Sequence, residues 1–342
     1  MEKQTHTFSN SVVDYYLNAT FQLLHEVTDI NNTVLITDEH VFKVHEQKFK
    51  GWNTIVQMPG EQNKVQATVD SIILQLIELG AHRQTTLVGV GGGVITDLTG
   101  YVASVYMRGV RFGFIPTSIL AMVDASIGGK NGIDVGVYKN MVGVIRQPSF
   151  LLYDTQLLHT LPQKEWENGF AEIIKHACIK DAELFSELEI HSIDYYKNNN
   201  EVLNELIKRN VLIKTKVVQN DEFEAGERKL LNFGHTLGHA IENKYHLLHG
   251  HAVSIGMVAA ATISEEINQF HSTEKERLIK VLMQYGLPVK LNYDKKKAFE
   301  TLLKDKKKEK DVMNYVLLKK IGEAEVVSIS LVQLQDLFSQ TL

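Results

Sequence analysis

Five of the fourteen histidines lie between positions 235 and 251, in NFGHTLGHAIENKYHLLHGHAV: His235, His239, His246, His249 and His251. Imidazole is the commonest protein ligand for zinc-like ions and the main side chain that titrates near neutral pH. The cluster therefore points to a metal site, an acid–base site or both. His235 and His239 stand four residues apart, beside Gly234 and Gly238, which permit close approach. Upstream, Arg228 and Asn232 extend that spacing into one stripe of cation, amide and two imidazoles, if a single helix reaches back that far. Such a stripe makes a poor surface and a good anion- or metal-binding wall.

A carboxylate to complete a metal site stands far upstream, in ENGFAEIIKHACI. On a helix, Glu172, Lys175 and His176 share a face at i, i+3 and i+4. On an isolated helix an exposed ion pair is the plainer reading, but the neighbours Phe170, Ala171, Ile173, Ile174, Ala177 and Ile179 imply burial. A buried carboxylate and ammonium need partners or a metal. Glu172 with two histidines would leave coordination positions open, the catalytic arrangement.

Two further stretches carry chemistry. GVGGGVITDLTG, Gly89 to Gly100, follows the strand-like TTLV and opens a helical pattern, where glycines let backbone approach a pyrophosphate at a helix N-terminus. A glycine turn that merely packs strand on helix is the bland alternative. Asp38, after VLIT, sits where an acid could bind a ribose hydroxyl, or could simply cap the next helix. PTSILAMVDASIGGKNGIDVGVYKN holds Asp124, Lys130, Lys139 and Asn140 among small residues, which suits a loop and pocket wall closing around an anion.

These residues need elements to hold them. Asn32–Thr37, Asn53–Met58, Thr86–Val90 and Phe112–Ile115 read as strands, with a helix over Val65–Leu79 between them. That alternation predicts a parallel sheet with crossover helices, a Rossmann-like α/β domain over 1–160. Beyond it, Lys164–Ile179, Ile193–Val218, Gly234–Lys244, Ala252–Asn268 and Ser272–Tyr285 read as helices, and Tyr315–Leu318 and Ala324–Ser328 as strands, giving a mostly α-helical domain over 161–342. The net charge of −5 and pI of about 6.3 offer no basic field for nucleic acid. Cys178, the single cysteine, excludes an internal disulfide and a cysteine-rich metal site. The opening MEKQTHTFSNS lacks a signal-peptide pattern, and no apolar run is long enough for a bilayer, so a cytoplasmic protein is expected.

Taken together, PGEQNK (59–64), GGGVITDLTGYVASVYMRG, VDASIGGKNGID, YKNMVG, FAEIIKHA, RKLLNFGHTLGHAIE, HGHAV and DKK (305–307) resemble the 3-dehydroquinate synthase family, in the family's order and over most of the chain. The resemblance implies a lyase of the shikimate pathway to chorismate and the aromatic amino acids, acting on 3-deoxy-D-arabino-heptulosonate 7-phosphate. In the family, NAD oxidises the C5 hydroxyl, phosphate leaves by β-elimination and helps remove the C6 proton, the same NADH reduces the ketone, and an aldol step closes the ring. A divalent ion, Zn2+ or Co2+, polarises the C4 and C5 hydroxyls.

Matched motif by motif, Glu172, His235 and His249 take the metal positions, and Asp124, Lys175 and Asn232 surround the reacting hydroxyls. Lys214 and Arg228 match the carboxylate-binding pair, while Lys130, Asn140, His239 and Lys306 match phosphate contacts. Arg108 matches an arginine that reaches the neighbouring subunit's phosphate site, which implies a homodimer. Asp38, Glu61, Lys64, Gly92, Gly93, Val94, Asp97, Thr117, Ser118, Lys139, Thr160 and Asn168 match the NAD-binding positions. Where the family reads HGE this chain reads HGH; the family's ligand precedes the glycine, which selects His249 over His251. The glycine common after DKK is also missing. Other sugar phosphate cyclases (2-deoxy-scyllo-inosose synthase-like), metal-dependent alcohol or glycerol dehydrogenases, and a binding protein that keeps the fold without the chemistry are the alternatives. GGKNGID and Arg228 favour the first reading over another cyclase, and the number of phosphate-matched cations disfavours a dehydrogenase.

Overall fold

The computed structural model describes residues 1–136, 138–305 and 311–340. They form two compact units, Met1–Glu165 with Asn199–Glu222, and Trp166–Asn198 with Phe223–Leu342. Lys306 lies outside the described residues.

In the first unit the strands are β1 (Glu2–Phe8), β2 (Ser11–Leu17), β3 (Thr33–Asp38), β4 (Asn53–Gln57), β5 (Thr86–Gly91), β6 (Arg111–Pro116), β7 (Lys130–Val135), β8 (Tyr138–Ile145) and β9 (Phe150–Leu152). Seven of them make one sheet in the order β1-β2-β9-β6-β5-β3-β4. All neighbours pair parallel except the edge hairpin β1–β2. TVLITD and TLVGVG, β3 and β5, are buried almost throughout, as central strands covered on both faces must be. From β3 the chain crosses through the helix Glu39–Phe49 to β4 on one side, then through Gln66–Glu78 to β5 on the other. The strand order therefore reverses between β3 and β5, and in doubly wound sheets the carboxyl ends of the strands at such a switch point are where ligands bind. Asp38 ends one strand, and Gly91, before the helix Gly93–Val105, ends the other.

Three features depart from the sequence expectation. β1 and β2 form a hairpin where no strand was expected. The GGKNGID stretch is not a loop: β7 and β8 are an antiparallel ribbon in which Gly132 faces Gly143. A Cβ on Gly132 would lie 2.6 Å from the Val142 carbonyl oxygen, so close backbone contact, not a turn, requires that glycine. Finally, the expected helix over 193–218 is two, Ile193–Lys197 and Asn200–Asn220, and the second belongs to the first unit. There the Thr155 hydroxyl donates to Asn204 (2.8 Å), and Thr215 contacts the Tyr15 hydroxyl (3.4 Å).

The second unit contains the helices Ala182–Ile190, His235–Tyr245, His249–Asn268 and Ser272–Gln284, most of Gln163–Lys180, and the hairpin of β10 (Val312–Lys320) and β11 (Glu323–Ser330). Phe170 stacks on Tyr285 at 4.8 Å in its core. Two glycines set the helix packing. A Cβ on Gly256 would sit 1.8 Å from the Gly234 carbonyl oxygen, and one on Gly250 would sit 2.2 Å from that of Asn168. Without side chains there, His235, His249 and Glu172 come from three helices to one place.

Candidate metal centre and nucleotide loop

Glu172 is wholly buried on the helix Gln163–Lys180, with a relative exposure of 0%. Its Oε1 lies 3.6 Å from His235 Nε2 and 3.4 Å from His249 Nε2. Both rings are oriented from behind. His235 Nδ1 is 3.1 Å from the Phe233 carbonyl oxygen, and His249 Nδ1 is 3.4 Å from Glu242 Oε2. An acceptor at Nδ1 keeps the proton there and turns the Nε2 lone pair inward, the arrangement that holds metal-ligating histidines. One ligand atom from each of Glu172, His235 and His249 lies within 4.8 Å of the others. Two imidazoles and one carboxylate with positions to spare fit a zinc-like ion.

Lys175, 1% exposed, pairs with the other carboxylate oxygen of Glu172. Charge balance separates the two histidines. Burial, then the Lys175 ammonium, hold His235 well below the ordinary imidazole range, so it is neutral with its lone pair available. Burial also disfavours charge on His249, but hydrogen bonds to Glu172 and Glu242 outweigh it, and its pKa is pushed up to about 10.

The other histidines separate as well. His239 is exposed, its ring 5.2 Å from that of His235 and 6.2 Å from that of His249. His246 ends its helix in the left-handed region, at φ 51°. The helix Gly250 belongs to begins at His249, and His251 falls about 200° further round it. Among the described residues His251 joins no group of converging ligand atoms.

The stripe from Arg228 to His239 does not exist as one helix. Glu227–Asn232 is a 3-10 turn, and Gly234, at φ 79°, breaks the path before the helix starts at His235. Gly234 touches the next helix so closely that a Cβ would lie 2.7 Å from the Val253 carbonyl oxygen. Arg228 is buried in that turn, and the Asn232 amide donates to Glu224 Oε1 at 2.6 Å. Asn168 accepts from the Gly250 amide at 2.6 Å, which pins the first turn of the His249 helix. Sequence reasoning missed Glu242; the signal was its place in GHAIE, one helical turn after His239.

The first unit carries the glycine loop at the β3/β5 switch. Gly91 is there for packing, since a Cβ would lie 2.6 Å from Ile95 Cβ. Gly92 faces more open space, with Ser118 Oγ at 3.6 Å. Gly93 and the half-buried Val94 open a helix with no side-chain cap and no acid in its first turn, which leaves its N–H groups for an anion. The Thr117 amide donates to the Gly91 carbonyl oxygen at 2.9 Å, and Ser118 Oγ accepts from the Ala121 amide at 3.2 Å.

Around the loop the charged groups hold one another. Buried Lys64 contacts Asp97 at 2.5 Å and donates to Asn140 Oδ1 at 2.6 Å. Burial works against its charge, but Asp97 and Glu61 raise its pKa above the usual lysine value. The Asn140 amide donates to Asp134 at 2.8 Å, and Lys139 lies 3.5 Å from Glu61. Lys214 donates to Asp124 Oδ1 at 2.6 Å, where Asp124 stands in a π-helical turn over Ala121–Ala125. Asp38 accepts from the Val41 amide at 3.0 Å and so caps the next helix. The Thr160 hydroxyl lies 3.0 Å from His45 Nε2. Lys130 is exposed at the start of β7, and Arg108 is exposed on the turn before β6.

Known proteins share both halves. The family models described as 3-dehydroquinate synthase N-terminal and C-terminal match residues 54–168 and 169–308. The pentafunctional AROM polypeptide of Candida glabrata is 41% identical over 82% of this chain, which spans only 20% of that much longer protein. The 3-dehydroquinate synthase of Thermodesulfovibrio yellowstonii is 41% identical over 78% of this chain and 76% of its own length. Among solved structures, the 2-epi-5-epi-valiolone synthase of Streptomyces hygroscopicus, with NAD+ and Zn2+ bound, superposes with a TM-score of 0.87 at 26% identity, covering 99% of this chain and 98% of the other.

Proposed function

The chain belongs to the 3-dehydroquinate synthase family, and from that premise we propose that it converts 3-deoxy-D-arabino-heptulosonate 7-phosphate to 3-dehydroquinate and phosphate, using NAD and a divalent ion, Zn2+ or Co2+. The observation that carries this reading is the convergence of His235 and His249 on a buried Glu172, each ring oriented by an acceptor behind it. When bound, the two groups supply a hydride acceptor that is regenerated and a Lewis acid for the substrate hydroxyls.

Glu172, His235 and His249 hold the ion. Lys175, charged against Glu172, and Asn232 hold hydrogen bonds to the reacting hydroxyls, with Asp124 fixed for the same task by Lys214. Lys214 and Arg228 are the cations for the substrate carboxylate, and Lys130, Asn140, His239 and Lys306 serve its phosphate. The uncapped first turn at Gly92, Gly93 and Val94 receives the NAD pyrophosphate. Asp38, Glu61, Lys64, Asp97, Thr117, Ser118, Lys139, Thr160 and Asn168 complete the dinucleotide site. In this reading the α/β unit takes NAD, the helical unit takes the ion, and the enzyme is a cytoplasmic homodimer in which Arg108 reaches the neighbouring subunit's phosphate site. Among the described residues no helix is long and apolar enough to cross a membrane.

Incubation with the heptulosonate phosphate, NAD+ and Zn2+ tests the proposal. Continuous phosphate release without accumulating NADH is the expected result. Stoichiometric NADH would mean a dehydrogenase, and no turnover by folded, metal-loaded protein would end the proposal.

A further inference from the structure

Three consecutive residues before β6 have positive φ: Met107 at 49°, Arg108 at 64° and Gly109 at 116°. Two of them carry side chains that disfavour this region, so surrounding contacts must hold the turn in place. The main-chain bonds there are Gly109 N–H to the Tyr106 carbonyl oxygen (2.9 Å) and Val110 N–H to that of Ala103 (2.8 Å).

The remaining clamp comes from the β-ribbon side. Arg146, just past β8, donates from Nη1 to the Ala103 carbonyl oxygen and from Nη2 to that of Val110, each at 2.8 Å. Its guanidinium lies 5.1 Å over the Phe112 ring, and a Cβ on Gly109 would meet Nη1 at 3.7 Å. Arg146 is itself fixed: its amide donates to the Gly129 carbonyl oxygen (2.8 Å), and its own carbonyl accepts from the Asn131 side chain (2.9 Å). A planar fork can bridge two carbonyls on either side of a turn; a lysine, with one point charge, cannot hold both in that geometry.

We propose that Arg146 is a positioning residue for Arg108: by bridging Ala103 and Val110 it locks the left-handed Met107–Gly109 turn and fixes the direction in which the Arg108 side chain leaves the surface. The proposal rests on the reading above, in which Arg108 binds a phosphate monoester. Arg146 touches no substrate and acts through the turn alone.

The test is a double-mutant cycle with Arg146→Lys and Arg108→Ala, assayed with the heptulosonate phosphate. Arg146→Lys is expected to raise KM about tenfold with a smaller change in kcat, at unchanged metal content. In the Arg108→Ala background the same substitution should change KM by less than about twofold, because its effect is carried by the residue already removed. A full, additive rise in that background would overturn the proposal, since it would show a general structural role. Hydrogen exchange at the Gly109 and Val110 amides gives a readout that needs no activity. Faster exchange in Arg146→Lys supports the clamp and unchanged exchange overturns it, even if the wild-type protein releases no phosphate from this sugar and the functional reading itself fails. Should Arg146→Lys not fold, Gly109→Ala loosens the same turn from its other side and carries the same expectations.

Discussion

The metal centre and the glycine loop are built from opposite materials. In the helical unit the candidate ligands are side chains, each held by a second group: Glu172 by Lys175, His235 by the Phe233 carbonyl and His249 by Glu242. In the α/β unit the candidate ligand surface is backbone, made available by side chains that are missing at Gly92 and Gly93, while the nearby polar groups Lys64, Asp97 and Asn140 hold one another. A metal demands converging atoms of the right chemistry, so chemical substitutions should break that half. A dinucleotide on a helix N-terminus demands room and N–H groups, so steric substitutions should break the other.

The largest expected effect follows from removing a converging atom. Glu172→Gln and His249→Ala should lose stoichiometric metal after dialysis and lower turnover by on the order of a thousandfold or more. His251→Ala, two residues on and turned away from the cluster, should keep most of both. Metal analysis beside kinetics decides it; the reverse pattern at 249 and 251 would show that the ligand register at HGH is wrong. Gly92→Val is the matching steric lesion in the other unit, since the space beyond Ser118 Oγ at 3.6 Å would be filled. Its expected result is a rise in the KM for NAD+ of about a hundredfold with metal content intact. Loss of metal from Gly92→Val would dissolve the contrast between the two halves.

The two regions were also unequally legible in the sequence. β3 and β5 were readable because central parallel strands covered on both faces run apolar and β-branched, the edge strand β4 because of the β-branched residues in NTIVQ, and β6 because of the aromatic and apolar run RFGFIP. The β1–β2 hairpin was not, because EKQTHTF buries only its last residue fully and shows no apolar run. The β7–β8 ribbon read as a loop because glycines needed for strand-to-strand contact look the same in sequence as glycines needed for turns. Periodicity identified a helix around Asn200–Asn220 but not which core its apolar face would meet. In the candidate site, Glu172 and the histidine cluster were visible from residue types and spacing, but only the family resemblance selected His235 and His249 from the five histidines. The break at Gly234 was not, since a glycine within a helical pattern does not announce a positive φ. Glu242 escaped notice because a carboxylate behind a ligand has no spacing rule of its own; only the fold brings it to His249 Nδ1.

Glu242→Gln sharpens the metal half by testing its support. An amide in place of that carboxylate should weaken metal affinity by about 10- to 100-fold, the usual effect of losing the group behind a ligating histidine. The loss should itself depend on pH. The metal-free His249 pKa is pushed up to about 10, partly by Glu242, and the proton must leave before the ion binds. Below that pKa, wild-type affinity should therefore fall as pH drops, by about tenfold per unit from this group. Glu242→Gln lowers the His249 pKa and weakens that competition, so the gap between mutant and wild type should be widest at alkaline pH. Metal titrations across pH would check this, and a gap that widens towards acid would contradict the charge assignment at His249.

The smallest effect probes whether one residue in the nucleotide half has two tasks. Asp38 accepts from the Val41 amide at 3.0 Å and caps the helix Glu39–Phe49, which alone explains an acid at the end of β3. Asparagine caps about as well as aspartate, whereas alanine costs about 1 kcal/mol. Asp38→Asn should accordingly leave unfolding stability within about 0.5 kcal/mol of wild type, while Asp38→Ala should not. If the carboxylate also binds a ribose hydroxyl, Asp38→Asn should raise the KM for NAD+ by roughly tenfold, since a charge-assisted hydrogen bond becomes a neutral one. An Asp38→Asn protein with unchanged NAD+ affinity would make Asp38 a helix cap and nothing more, and would leave the switch point to bind its dinucleotide through backbone and the loop alone.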